Sequence, residues 1–376
     1  MNYIYQSDIW PKFTWDHAKI APMAGVVRNR QGRLLGRMEA LGFSLRSEAL
    51  LQTLTFDVVK SSEIEGEILD RNQVRSSIAR KLGMKVGGLV ASDRDVDGVV
   101  EMMLDATQNF NRLLTKDRLF GWHAALFPSG RSGMHKIVAG AWRDDSHGPM
   151  RVVSGPIGHE RVHFEAPDAG RLESEMMDFL GWLNGSADLD PVIKAGVAHL
   201  WFVMLHPFED GNGRIARAVT DMLLARADGS RERFYSMSLQ IRQERNAYYG
   251  ILEKTQTCPG VSKAGIDITP WLEWFLACLG RALERSENTL AGVFKKARFW
   301  ETSSTASINS RQRIMINKLF DGFDGKLTSS KWAKITKCSQ DTAFRDILDL
   351  VEKRILTKDS AGGRSTSYSL RREWQV

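Results

Sequence analysis

The sequence predicts a mainly α-helical protein with one β-hairpin and a small mixed unit in its last third. Three observations predict it. Apolar residues recur at helical spacing over much of residues 72–126, 169–184, 191–205, 214–225 and 269–297. Residues 134–167 break that rhythm with two short alternating runs, Arg151 to Ser154 and Arg161 to Glu165, a hairpin signal with a longer loop between them. Beyond a Ser/Thr-rich stretch at 301–307, three short helical runs precede two strand-like runs. A chain of 376 residues has room for two or three domains, and 43% apolar residues fit an ordered globular protein.

The first 45 residues open with aromatics (Tyr3, Tyr5, Trp10, Phe13, Trp15) and an expected helix from Asp16. A further helix is expected over 43–54. In Lys60-Ser61-Ser62-Glu63-Ile64-Glu65-Gly66-Glu67-Ile68, Ser61 suits a helix start and Gly66 a helix end. Helices then follow around Val99 to Ala106 and Asp117 to Leu126, where His123 is expected to pack or cap, and Pro128 to Gly133 forms a loop. Trp142 and Arg143 are expected to pack ahead of the hairpin.

Residues 191–205 are apolar nearly all round, so they predict a buried helix. Asp190 is its cap, Pro191 its first residue, and His206 stands at its end because Pro207 disfavours helical geometry in the residue before it. A second helix follows from Arg214, with Ile215, Val219, Met222 and Leu223 on one face. Between them lies His206-Pro207-Phe208-Glu209-Asp210-Gly211-Asn212-Gly213, followed by Arg214 and Arg217. The small residues turn backbone N–H groups toward one point at the positive end of a helix dipole, which suits an anion. The two arginines share a helix face and can fork onto phosphate oxygens. Asp210 is a hard oxygen ligand of the kind Mg2+ uses beside nucleotide phosphates. An imidazole titrates near neutrality and can take a proton from a hydroxyl. Together these groups predict phosphoryl or nucleotidyl transfer to a hydroxyl.

Arg233 to Ser238 is expected to be extended, Ile241 to Glu253 helical, and a long helix is expected from Thr269 as cap and Pro270 as first residue toward Ala297. Further helices over 311–320, 328–335 and 339–351 and strands at 356–358 and 367–370, around Gly362-Gly363, complete the chain.

The stretch from His206 to Arg217 resembles the signature of the Fic family, His-Pro-Phe-x-Asp/Glu-Gly-Asn-Gly-Arg-x-x-Arg, at every defined position. The resemblance implies a Fic-type helical core whose hairpin is a flap beside the active site, and transfer of AMP from ATP to a Ser, Thr or Tyr hydroxyl of a target protein. His206 would be the general base and Asp210 would hold Mg2+. Phe208, Gly211, Asn212, Gly213, Arg214 and Arg217 would contact the nucleotide, the Asn212 side chain facing the transferred phosphate. Asn246 and Tyr249, in an Arg-x-x-Tyr-Tyr segment, would lie at the adenine end, one of the two adjacent tyrosines packing and one free. Ser61, Glu65 and Gly66 fit the family's inhibitory motif, Ser/Thr-x-x-x-Glu-Gly/Asn, with Glu65 pairing bidentately to Arg217 in place of the γ-phosphate. The target would add a strand to the 151–165 hairpin. The opening resembles a small domain found ahead of Fic cores, and residues after 300 resemble a winged helix, which implies either DNA binding, with Gln340, Thr342 and Arg345 as base or phosphate contacts, or protein binding alone.

The expected domains are a helical region with the inhibitory motif (1–75), the catalytic core (76–298) and a winged-helix-like domain (299–376). The net charge of +7 weakly favours acidic partners. Three well-separated cysteines, no secretory pattern at Met1 and no apolar run of about 20 residues point to a cytoplasmic protein outside the membrane. A homodimer is compatible with all of this. The same motifs also fit a nucleotide-responsive DNA-binding regulator, or an enzyme that removes AMP from a modified protein.

Overall fold

The computed structural model describes residues 3–84, 88–146, 148–156, 159, 161–185, 189–257, 261–262, 265–302, 307–320, 323, 325–359 and 366–374. Cys258, Gly362-Gly363, much of the 301–307 stretch and Ile157, Gly158 and Glu160 of the hairpin loop lie outside them.

A strand β1 (Phe13–Thr14) leads into α1 (His17–Glu39), α2 (Phe43–Ile64), α3 (Arg71–Lys81), α4 (Arg94–Gln108) and α5 (Lys116–Leu126). Two hairpins follow: β2 (Arg131–Ser132) with β3 (His135–Lys136), and β4 (Arg151–Ser154) with β5 (Arg161–Glu165). Then come α6 (Leu172–Asn184), α7 (Pro191–Leu205), α8 (Asn212–Asp228), α9 (Met237–Gln243), α10 (Arg245–Gln256), β6 (Val261–Ser262), β7 (Gly265–Asp267), α11 (Thr269–Thr289) and α12 (Ala291–Thr302). The chain closes with α13 (Ser310–Phe320), α14 (Ser329–Thr336), α15 (Gln340–Glu352), β8 (Leu356–Lys358) and β9 (Tyr368–Leu370). Two compact units result, Met1–Met38 with Leu50–Ser286, and Glu39–Ala49 with Glu287–Val376.

The first unit is built on α7 and α8, its most closely packed pair. Apart from Pro191 and Lys194, every residue of α7 is buried, as its all-round apolar sequence requires. The Asp190 carboxylate accepts from the Val192 and Ile193 N–H groups, satisfying the donors that a helix start leaves open. On α8, Ile215, Val219 and Met222 are fully buried, each contributing about 1.5–3 kcal/mol of transfer free energy. α11 crosses close to α7: a Cβ at Gly196 would lie 3.0 Å from Leu272 and Phe275. The Trp271 indole N–H donates to the Gly196 carbonyl at 2.8 Å.

Several expectations differ from what the chain does. The helix from 269 stops at Thr289 and α12 begins anew at Ala291, with Gly292 next to the break. Thr269 is the first residue of α11 and not its cap; its N–H and hydroxyl both donate to Asp267. Residues 237–256 form two helices that part at Glu244, because Ser236 caps a turn from Met237 that was expected to be extended. Ser61 starts no helix but lies in the last turn of α2. Gly66 (φ +91°) closes that helix: the Gly66 N–H reaches the Glu63 carbonyl and the Glu67 N–H the Ser62 carbonyl. The sheet β1-β7-β6, with β1 parallel to β7, had no local signal.

In the second unit Phe299, Met315, Ile316, Trp332, Ile347 and Leu350 pack with Leu356 and Leu370 of the β8–β9 hairpin. Thr328 caps α14 and Ser339 caps α15. Gln340 and Arg345 are exposed on α15 and Thr342 is half-buried. No helix among the described residues is long and apolar enough to cross a membrane.

Candidate active site

α7 ends on His206, whose left-handed backbone (φ 48°, ψ 56°) swings the chain sharply out of the helix. The imidazole Nδ1 stands 3.2 Å from the Val203 carbonyl, which can only accept, so Nδ1 carries the proton and Nε2 keeps its lone pair. The half-buried ring lines a cavity of about 700 Å³. Burial pushes the imidazole down to about 4, so it is neutral near pH 7.

Arg143 holds the turn after His206. Its Nε donates to the His206 carbonyl at 2.8 Å, its backbone N–H to the Pro207 carbonyl at 2.9 Å, and Nη2 to Pro167. Asp145 pairs with it at 3.0 Å. This side chain, expected to pack or to line the target groove, is 4% exposed and is the brace of the loop.

Phe208 does not reach the cavity. It is fully buried, stacked on His123 at 4.2 Å and 9° and flanked by Trp142 at 5.1 Å, so its place as a nucleotide contact is corrected to that of a core anchor. His123 packs as expected, accepting the Gly140 N–H at Nδ1. Asn212 lines the cavity, but its side-chain amide serves the loop. Its amide oxygen accepts the Phe208 N–H at 2.9 Å and its amide nitrogen donates to the Phe208 carbonyl at 2.7 Å. The side chain therefore ties the loop shut.

Gly211 takes φ +78° as the N-cap of α8, and a Cβ there would stand 2.9 Å from the Phe127 ring. The N–H groups of the first turn of α8 have no intrahelical acceptor and face outward from the helix start. Asp210 accepts from its neighbour, the Gly211 N–H, at 2.5 Å and from the Ser132 hydroxyl of the small β2–β3 hairpin. Glu209 accepts the Val138 N–H at 2.8 Å, and both carboxylates line the cavity. Among the described residues no group of three or more His, Cys, Asp and Glu could hold a metal ion.

Arg214 and Arg217 are each 2% exposed and lie under carboxylates. Glu65 Oε1 stands 2.8 Å from Arg217 Nη1. The pair is not bidentate, because Arg217 Nε donates to the Ser61 hydroxyl and Nη2 to the Ser61 carbonyl, both at 2.8 Å. Gly213 makes room for this contact, since a Cβ there would come 2.1 Å from Glu65 Oε1. Arg214 pairs with Glu67 Oε2 at 2.5 Å, a contact missed at the sequence level although the carboxylate lies only two residues past Glu65.

The opposite wall comes from β4, β5 and α10: Met150 to Ser154, His163, Phe164, Asn246, Tyr248 and Tyr249. Tyr248 is 2% exposed and bonded to His199 at 2.9 Å, whereas Tyr249 is 37% exposed beside Arg245, the division expected of adjacent tyrosines. Arg161 (2.6 Å) and His163 (3.3 Å) of β5 fasten the hairpin to Glu253 of α10. β4 pairs only with β5 among the described strands. Glu65, His206, Asp210, Gly211, Asn212, Gly213, Asn246 and Tyr249 thus share one cavity, with both arginines behind its acidic side.

Comparison with known proteins agrees with this geometry. Residues 113–224 match the family model described as Fic/DOC family, and residues 3–84 match one described as Domain of unknown function (DUF4172). The chain is 35% identical over 233 residues to a Culex quinquefasciatus protein named Protein adenylyltransferase Fic, across 60% of this chain and 40% of that one. It is 29% identical over 180 residues to Protein adenylyltransferase fic-1 of Caenorhabditis elegans, across 47% of this chain and 32% of that one. It therefore spans less than half the length of these curated relatives. Its fold is similar to a crystal structure of a Fic family protein from Desulfovibrio desulfuricans G20, at 20% identity and TM-score 0.53, over 93% of this chain and 96% of that one. A signaling protein containing a Fic domain from Bacteroides thetaiotaomicron shares the fold at 21% identity and TM-score 0.52, over 73% of this chain and 97% of that one. Residues 113–224, which carry the signature loop, thus match the Fic/DOC family, and the chain shares its helical fold with a Fic family protein.

Proposed function

We propose that the protein transfers AMP from ATP to a hydroxyl side chain of a target protein, and that Glu65 holds its resting activity low. The observation that carries this reading is one cavity joining a neutral imidazole and the open N–H groups of a helix start, with two arginines behind its acidic side. The relatives named protein adenylyltransferase support it.

In this reading the hydroxyl oxygen attacks the α-phosphorus while its proton passes to His206 Nε2. The new oxygen–phosphorus bond forms as the bond from the α-phosphorus to the bridging oxygen breaks, and pyrophosphate leaves with that electron pair. The N–H groups at the start of α8 meet the charge that develops on the α-phosphate. Arg214 and Arg217 grip the outer phosphates once their carboxylates move aside. Tyr249 and Asn246 border the adenine.

A bound Mg2+ would neutralise phosphate charge. Mg2+ usually takes one or two carboxylates together with phosphates and waters, and Asp210 beside Glu209 fits that donor set without forming a site of its own. The free edge of β4 would receive an extended target segment by strand addition. We read the second unit as a winged helix, and the free thiols of Cys278 and Cys338 suit a reducing, cytoplasmic setting.

The test is incubation of wild type, Glu65→Gly and His206→Ala with labelled ATP and Mg2+. The expected order is strong self-labelling of Glu65→Gly, weak labelling of wild type and none of His206→Ala. Equal labelling of all three rejects the reading.

A further inference from the structure

Ser61 belongs to the segment that covers Arg217, yet its contacts differ in kind from those of Glu65. Glu65 meets the guanidinium at Nη1, the side toward Gly213 and the cavity. Ser61 takes the opposite donors: its hydroxyl accepts from Nε and its carbonyl from Nη2, each at 2.8 Å. These bonds fix the plane of the guanidinium and leave the remaining donor directed at the place Glu65 occupies. A planar fork held on two nitrogens loses little further freedom when it meets an anion.

Burial divides the segment at the same point. Ser61, Ser62 and Ile64 are fully buried, whereas Glu65 and Gly66 are exposed. One turn earlier Asp57, 4% exposed, accepts from the Ser236 hydroxyl and the Ser238 N–H, which ties the end of α2 to the start of α9. Past the helix end the chain turns at Gly66, whose φ of +91° favours glycine. The helix end is thus packed and bonded, while the carboxylates of Glu65 and Glu67 hang from a short exposed turn.

We propose that Ser61 is a positioning residue for the transfer reaction and not a part of the guard: it holds Arg217 ready for phosphate, and release moves Glu65, Gly66 and Glu67 while the end of α2 stays in place. This rests on the adenylyltransfer reading and refines it. Activation that pulled the whole helix end away would strip Arg217 of its neutral partners together with its acidic one. The site would then have to rebuild the arginine's orientation at the moment of binding.

The test measures ATP affinity by calorimetry, apart from any transfer, in Glu65→Gly, Glu65→Gly/Ser61→Ala and Glu65→Gly/Ser61→Thr, with melting curves to compare folding. Removing one hydrogen bond to a charged group while the Ser61 carbonyl remains is expected to weaken ATP binding about tenfold. The threonine variant, which keeps a hydroxyl, is expected to bind more tightly than the alanine variant. In turnover, the alanine change is expected to appear in KM more than in kcat. Unchanged ATP affinity in the alanine variant overturns the proposal. So does Ser61→Ala alone activating self-labelling as strongly as Glu65→Gly, since a pure guard residue behaves that way. If ATP binds with the expected difference but no AMP is transferred, the positioning role stands and the adenylyltransfer reading falls.

Discussion

Glu67 and Arg214 form an ion pair of 2.5 Å in which the arginine is 2% exposed and the carboxylate 43%. With Glu65 on Arg217 at 2.8 Å, the turn that ends α2 covers both signature arginines. Burial acts on the Glu67 carboxyl most strongly and raises it above the usual range, against the pull of Arg214. The pair is therefore weaker than its distance suggests, and a phosphate with more negative charge competes for Arg214 with advantage.

From this, Glu67→Ala in the Glu65→Gly background is expected to label itself about three to ten times faster than Glu65→Gly alone, since a charged hydrogen bond to a partly exposed carboxylate contributes on the order of 1 kcal/mol. Initial rates with labelled ATP check it. A slower double variant would show that Glu67 supports the arginine and does not mask it.

Removing the guard carries a stability cost. Glu65→Gly leaves the Arg217 guanidinium buried with no countercharge; breaking a fully buried pair costs about 3–5 kcal/mol. Glu65 is 29% exposed on its side chain, so solvent screening lowers the expectation to roughly 1–3 kcal/mol. The variant should melt below wild type, by about 1–2 °C per kcal/mol for a chain of this size. ATP with Mg2+ should raise its melting temperature more than that of wild type. Differential scanning calorimetry with and without nucleotide reads both.

His206 is held down to about 4 by burial, His123 to about 4 and His199 to about 3. A general base must be neutral to act, so the kcat/KM of Glu65→Gly should be flat between about pH 5.5 and 7.5 and fall only as pH drops toward 4. The stability effect has the same sign. Each imidazole is depressed in the folded state relative to about 6.5 unfolded, so stability is fully present above 6.5 and is lost as pH falls toward the folded values. Rate and melting profiles from pH 4 to 8 check this; an acid limb near 6.5 in kcat/KM would contradict it.

Arg143 braces the His206–Pro207 turn through both its side chain and its backbone. Arg143→Ala would strand the buried His206 and Pro167 carbonyls, and kcat is expected to fall at least tenfold with a lower melting temperature. Arg143→Lys should rescue little, because a single ammonium cannot span His206, Pro167 and Asp145. Activity and melting of the two variants are the measurement.

These contacts mark how far the sequence could be read. α7, α8 and the loop between them were legible because their chemistry is local: Asp190 caps, Pro191 opens, the His206 region bends and Gly211 turns within one short stretch. The β4–β5 hairpin was legible from alternation. The reach of Glu65 to Arg217, across more than 150 residues, came only from family resemblance. Ser132 on Asp210, Arg143 on His206 and β1 beside β7 were not legible, because nothing near those residues signals a distant partner. Phe208 and the side chain of Asn212 were misread for another reason: membership of a reactive loop does not say which way a side chain points, and here both side chains serve the loop itself, although Asn212 lines the cavity. The break between α11 and α12 falls at Leu290, two residues before Gly292, a poor helix former lying inside the helix expected to run toward Ala297.

The account stands most directly on which phosphorus becomes attached to protein. Glu65→Gly incubated with Mg2+ and ATP labelled in turn at the α- and the γ-phosphate is expected to retain the α label and none of the γ label, and to lose even that when His206→Ala is added. Retention of the γ label, or α labelling that persists without His206, would contradict it.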